Sequence, residues 1–147
     1  MGQISLEQAV RNAIEVERAA ERFYGMLAES TDDAEARRFL FKMRTQESEH
    51  AKQIQQMGQK IVAGELPFRA DDNMELVETA PEWAFTDDLS FDDAITLAIE
   101  LEDHAAMFYD ALASSTKGAI AEFFGELVKQ EEMHASVLRE RYRKVEP

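Results

Sequence analysis

The residues of this sequence best suited to chemistry are four glutamates and two histidines with a repeated spacing. The motif Glu-x-x-His occurs twice, 84 residues apart, and each copy follows a segment with a further glutamate. On a helix, side chains three residues apart lie on one face. A Glu from each of two helices and Glu-x-x-His from each of two others is the pattern of carboxylate-bridged two-metal sites in helical bundles. The predicted metal ligands are Glu17, Glu47, His50, Glu102, Glu131 and His134.

The charge of these residues is a second argument for metal. Each glutamate falls on the apolar seam of its segment, where an unpaired carboxylate loses its hydration and gains nothing in return. Two divalent cations carry four positive charges, which balance four carboxylates, and two neutral imidazoles complete the coordination. The alternative is a bundle that keeps these residues without metal.

The elements that must position the ligands are four helices in two similar hairpins. Residues 13–24 resemble residues 98–109, and apolar residues recur in alternating steps of four and three, which is typical of bundled helices. Ser5, Asp32 and Ser90 are suited to cap helix N-termini. We therefore predict an all-α antiparallel four-helix bundle, with helices at roughly 5–29, 33–63, 90–114 and 118–144.

The two hairpins are joined by a long segment, 64–89, that has no sustained hydrophobic period. Its length is enough to run along the bundle and join helices that point the same way. We interpret it as a crossover within one domain, 1–147. Trp83 and Phe85 are expected to pack on the bundle or on a neighbouring subunit.

Composition excludes several classes of function. The sequence has no cysteine, which rules out disulfides, thiolate-bound zinc, iron–sulfur clusters and thiol nucleophiles. A net charge of −14 argues against binding nucleic acid or anionic lipid. No apolar run approaches the roughly 18 residues that span a bilayer, and the N-terminus does not resemble a secretory signal. A cytoplasmic location is expected.

Other polar residues near the ligands have less specific roles. Tyr24 and Tyr109 fall on the seam two turns beyond a ligand, where each could bond a ligand carboxylate or could simply fill the core. His104 is off the seam and is expected at the surface or in contact with the crossover, and not as a metal ligand. Four acids that lie near the ligands but off the seam are expected to be solvated: Glu15, Glu49, Glu100 and Glu132.

The repeated Ala-Ile-Glu-x-Glu-x-x-Ala-x-x-Phe-Tyr, with Glu-Ser-Glu-His and Glu-Glu-Met-His, resembles the rubrerythrin branch of the ferritin-like superfamily. The resemblance covers all four predicted helices. It implies a ferritin-like four-helix bundle with a non-haem di-iron centre that reacts with hydrogen peroxide or dioxygen, in a homodimer or larger homo-oligomer. By motif position the six residues above are the ligands, and Glu47 and Glu131 are the bridging pair.

Two departures from the best-known rubrerythrins affect the expected chemistry. Those proteins carry a C-terminal rubredoxin module with four cysteines, whereas this sequence has none, so electrons must come from an external donor protein. They also have a further Glu one turn after the ligand of the third helix, where this sequence has Ala105. The centre is therefore expected to be the plainer, symmetric version.

Three functions are compatible with the sequence. The leading hypothesis is an oxidoreductase with two iron ions that reduces hydrogen peroxide. The second is iron binding or storage, in which the same centre oxidises Fe(II) with dioxygen. The third is a metal-free interaction module. The ligand types also suit manganese or zinc.

Overall fold

The computed structural model describes residues 2–3, 6–64, 75–76 and 89–142. Four helices account for most of them. The elements are β1 (Gly2–Gln3), α1 (Leu6–Ser30), α2 (Ala34–Val62), β2 (Glu75–Leu76), α3 (Phe91–Ser114) and α4 (Gly118–Tyr142). The predicted all-α bundle is confirmed. None of the helices in the described ranges is both long enough and apolar enough to cross a membrane.

The helix starts follow local capping chemistry. The Ser90 side chain accepts a hydrogen bond from the backbone N–H of Asp93, so Ser90 caps α3 as predicted. The prediction for α2 was wrong by one residue: Asp33, and not Asp32, accepts from the N–H of Ala36. Both aspartates are able to cap, and the extended backbone at Asp33 selects it. Ser5 lies outside the described residues.

Short turns join α1 to α2 and α3 to α4, and each pair packs along its length as an antiparallel hairpin. The buried apolar residues form two clusters. One includes the first half of α1 and Phe124 of α4, and the other includes the second half of α1 and Ile95 of α3. The predicted ligand Glu17 lies between the α1 residues of these two clusters, which places the polar residues in a layer with apolar core on either side.

The crossover contributes a feature that the sequence did not predict. Its described strand β2 pairs antiparallel with β1, with Gly2 opposite Leu76 and Gln3 opposite Glu75, and β2 also contacts α3. A strand of two residues is too short to show the alternating hydrophobic pattern by which strands are recognised in a sequence. Trp83 and Phe85 lie outside the described residues.

Candidate metal centre

The structure brings the six predicted ligands together in the middle of the bundle. Each hairpin supplies a single Glu from its first helix and a Glu-x-x-His pair from its second. All four glutamates are 0% exposed, and the histidines are 7% and 4% exposed. Because the ligands are buried on facing helices, their positions are set by helix packing and not by loops.

Two groups of ligand atoms are close enough to hold one ion each, and they overlap. In each group the ligand atoms all lie within 4.8 Å of one another. Glu47 and Glu131 belong to both groups. The first group adds Glu17 and His50, and the second adds Glu102 and His134. Shared carboxylates between two single-ion groups are the geometry expected of a bridged pair.

Both imidazoles present Nδ1 to the carboxylates. His50 Nδ1 lies 3.1 Å from Glu17 Oε1 and 3.3 Å from Glu47 Oε1. His134 Nδ1 lies 3.3 Å from Glu102 Oε2 and 3.7 Å from Glu47 Oε2. The two rings are stacked, with centroids 5.6 Å apart and planes 15° apart. Nδ1 is therefore the nitrogen that each ring would offer to an ion.

Tyr24 and Tyr109 form hydrogen bonds between the two hairpins in the layer of the predicted ligands. The Tyr24 hydroxyl donates to Glu102 Oε2 at 2.6 Å, and the Tyr109 hydroxyl donates to Glu17 Oε2 at 2.5 Å. Each phenol thus contacts the glutamate of the other hairpin and not the one on its own helix. Burial, reinforced by nearby carboxylates, raises the pKa of both phenols, so both remain protonated donors at neutral pH.

Burial and mutual repulsion oppose the ionisation of the carboxyl groups in this layer. Burial raises the pKa of Glu47 and Glu131 well above the usual range, and the neighbouring carboxylates raise it further. Burial by itself lowers the pKa of His134, but the Glu102 carboxylate, 3.3 Å from Nδ1, outweighs that effect and raises it.

Hydrogen bonding leaves several polar atoms of the layer unsatisfied. Six buried side-chain atoms of the layer have no hydrogen-bond partner among the described residues: both oxygens of Glu47, both oxygens of Glu131, Glu102 Oε1 and His134 Nδ1. Buried polar atoms are normally satisfied. Divalent cations would satisfy these atoms and neutralise the carboxylates, so the residues fit a pair of metal ions.

Comparison with known proteins agrees with this geometry. Residues 93–147 match the model of the rubrerythrin family. The predicted resemblance to rubrerythrins is confirmed, and the matched range contains Glu102, Glu131 and His134. No curated protein matches the chain in sequence.

Two solved structures share the fold over nearly the whole chain. A protein from Thermotoga maritima described as ferritin-like and diiron-carboxylate is 21% identical to this chain. The alignment covers 98% of each chain and has a TM-score of 0.80. A hypothetical protein from Pyrococcus furiosus is 25% identical, covers 95% of this chain and 89% of its own, and gives a TM-score of 0.78. The ferritin-like fold therefore extends over both hairpins.

The structure also places the residue that distinguishes this chain from the best-known rubrerythrins. Ala105 is 0% exposed and packs in the apolar cluster with Tyr109 and Phe124. That position supplies core packing here and no carboxylate. Asp103 of the same helix pairs with Arg139, at 2.5 Å from Nη2 to Oδ2, and His104 is exposed as expected. The four off-seam acids are exposed as well.

Sequence reasoning missed Gln46. Its side-chain oxygen lies 3.0 Å from His134 Nε2, so the amide accepts from Nε2–H and leaves Nδ1 free for an ion. A signal for it was present, because a glutamine precedes the glutamate of both Glu-x-x-His motifs, as Gln46 and Gln130. Within the described part of the chain, Gln130 makes no equivalent bond to His50.

Proposed function

We propose that this chain is a non-haem di-iron oxidoreductase of rubrerythrin type that reduces hydrogen peroxide with electrons from an external donor protein. The observation that carries the proposal is the pair of overlapping ligand groups that share two buried, unpartnered glutamates. The family match adds iron as the expected metal. The proposal includes a single di-iron domain over residues 1–147 that acts as a homodimer or larger homo-oligomer in the cytoplasm.

The ligands divide naturally between two ions. Glu17 and His50 would hold one, Glu102 and His134 would hold the other, and Glu47 with Glu131 would bridge them. Four carboxylates and two neutral imidazoles match the charge of two divalent ions. The Gln46 contact favours the tautomer of His134 that carries its proton on Nε2, because an amide oxygen accepts that proton, and this tautomer leaves the Nδ1 lone pair available to an ion.

A pair of ferrous ions held by these six residues would supply the two electrons that reduction of the peroxide O–O bond requires, and would act as Lewis acids. The protein's own groups fix the reacting geometry. Tyr24 and Tyr109 keep their protons on Oη and orient Glu102 and Glu17 by short hydrogen bonds. The apolar clusters on either side of the layer exclude bulk water, which strengthens electrostatic interactions inside.

The test is anaerobic stopped-flow spectroscopy of the Fe(II)-loaded protein mixed separately with hydrogen peroxide and with dioxygen. The near-ultraviolet absorption of the oxidised centre reports the reaction. We expect peroxide to oxidise the centre much faster than dioxygen. Equal rates, with consumption of Fe(II) beyond two ions per chain, would instead favour iron binding or storage.

A matched pair of variants links the reaction to the ligands. Glu47→Ala removes a buried bridging carboxylate and should abolish metal-dependent peroxide turnover. Glu100→Ala removes an exposed carboxylate of α3 and should leave turnover unchanged. Peroxide turnover retained by Glu47→Ala would contradict the assignment.

A further inference from the structure

Two cavities reach the metal centre from the outside, and the internal repeat relates them. One, of about 460 Å³, is lined by His50. The other, of about 210 Å³, is lined by His134. Both lie between α2 and α4, and Gln46 and Gln130 line both. A shift of 84 residues converts His50 to His134 and Gln46 to Gln130, so the two cavities occupy equivalent places in the two hairpins.

The larger cavity is acidic. Glu49 and Glu126 line it, together with Gln53, and no lysine or arginine of the described residues does. Lys129 contacts Glu126 at 3.4 Å, but both side chains are mostly exposed, at 74% and 65%. A pair this exposed is strongly screened by water, so the carboxylates still dominate the potential at the cavity.

The smaller cavity is lined by no carboxylate of the described residues. Met133 takes the place of Glu49, Lys42 that of Glu126, and Val137 that of Gln53. The two hairpins therefore keep the same ligands but differ in the charge of the surface in front of them.

The acidic cavity leads to the ligands through His50. This imidazole is 93% buried, since its exposed fraction is 7%, yet it lines the cavity with part of its surface. Its Nδ1 lies 3.3 Å from Glu47 and 3.6 Å from Glu131, both of which have unpartnered oxygens. At the smaller cavity the corresponding ring is fixed by Gln46, whereas the His50 ring has no such amide contact among the described residues.

We propose that the cavity lined by Glu49 and Glu126 is the route by which divalent cations reach the metal centre. The inference rests on the proposed metal site and assigns a further role to residues that are not ligands. Carboxylates at the mouth raise the local concentration of cations and guide them to His50, because a low-dielectric cleft focuses the field of its charges. Lys42 repels cations at the equivalent mouth, so loading proceeds from the His50 side.

The experiment measures metal uptake and not catalysis. Chelator-treated protein is mixed with Co²⁺ at low ionic strength, and the visible absorption of bound cobalt gives both the initial rate and the final stoichiometry. The double variant Glu49→Met/Glu126→Lys gives the larger cavity the chemistry of the smaller one. We expect its initial rate to fall about tenfold, the final stoichiometry to stay at two, and the difference to shrink at high salt.

A charge-matched control separates local guidance from overall charge. Glu29→Lys/Glu140→Met changes the net charge by the same amount at exposed positions near helix ends. Its uptake rate should match that of the unmodified protein. Equal slowing by both double variants, or no slowing by the cavity variant, would overturn the route while leaving the metal centre intact. Absence of cobalt uptake by the unmodified protein would overturn both.

Discussion

Replacing Glu47 by glutamine should stabilise the metal-free protein and weaken the metal-loaded one. Both oxygens of Glu47 are buried without a partner among the residues that the structure describes. Burial, with the charges of Glu102, Glu131 and Glu17, raises the pKa of this carboxyl. Folding without metal therefore requires Glu47 either to stay charged against repulsion or to take up a proton. Glutamine has a similar shape and no charge, so the variant avoids both costs.

The free energy of protonating Glu47 sets an upper limit to the stability that Glu47→Gln can gain. A carboxyl whose pKa is raised in the folded state holds a proton that the unfolded chain has released above its ordinary pKa of 4.5. The cost grows by about 1.4 kcal/mol per pH unit, so at pH 7 it cannot exceed about 3 kcal/mol. Stability from this group is thus complete below pH 4.5 and is lost as pH rises through the folded pKa.

The gain from Glu47→Gln should accordingly be small near pH 5 and grow towards pH 7, with an upper limit of about 3 kcal/mol, or roughly 12 °C in melting temperature. The assay is thermal and urea unfolding of chelator-treated protein, followed by far-ultraviolet circular dichroism at both pH values. Glu100→Gln, at an exposed position of α3, is the control and should shift the free energy of unfolding by less than about 0.5 kcal/mol.

Metal should reverse the order of stability. A ligand that binds only the folded state stabilises it by mass action, so adding Fe(II) or Co(II) should raise the melting temperature of the unmodified protein. Glu47→Gln lacks one bridging ligand and should lose most of that increase. The reasoning would be refuted if, without metal at pH 7, Glu47→Gln were no more stable than the unmodified protein.

Three other substitutions test separate parts of the structure. Tyr24→Phe leaves Glu102 Oε2 without its 2.6 Å donor, which should cost about 1.5 to 3 kcal/mol in urea unfolding and weaken metal binding about 10- to 100-fold. Gln46→Ala removes the hydrogen-bond acceptor of His134 Nε2. It should lower the affinity for one of the two metal ions about tenfold in chelator-competition titrations. Gly125→Ala adds a Cβ that meets nothing within 4 Å in α4, so it should raise the free energy of unfolding by about 1 kcal/mol.

Two of these substitutions have a matched comparison. Gln130→Ala removes an amide that makes no bond to a histidine in the described structure, and a loss of affinity as large as that of Gln46→Ala would count against the positioning role. At Gly58 an added Cβ would lie 2.9 Å from Val10 Cγ1, so Gly58→Ala should lack the gain expected at Gly125. For the tyrosine variant, an unchanged free energy of unfolding would contradict the hydrogen-bond assignment.

The bundle and its polar layer could be predicted from the sequence because both depend on helical periodicity. Apolar steps of three and four residues define one face of a helix whatever surrounds it. A Glu on that face must enter the core, and a His three residues later must accompany it. The prediction of Glu17, Glu102 and both Glu-x-x-His motifs as neighbours followed from this pattern, and the structure places all of them in one layer.

Only the tertiary structure decided how the two hairpins meet. The sequence left Tyr24 as either a ligand partner or core, and its contact with Glu102 of α3 depends on the rotation of one hairpin against the other. The same rotation brings Gln46 to His134 across the bundle. It also places Glu49 beside Glu126 at a common cavity. Periodicity fixes which face of a helix is buried, whereas the packing of side chains between helices fixes which residues of two faces touch.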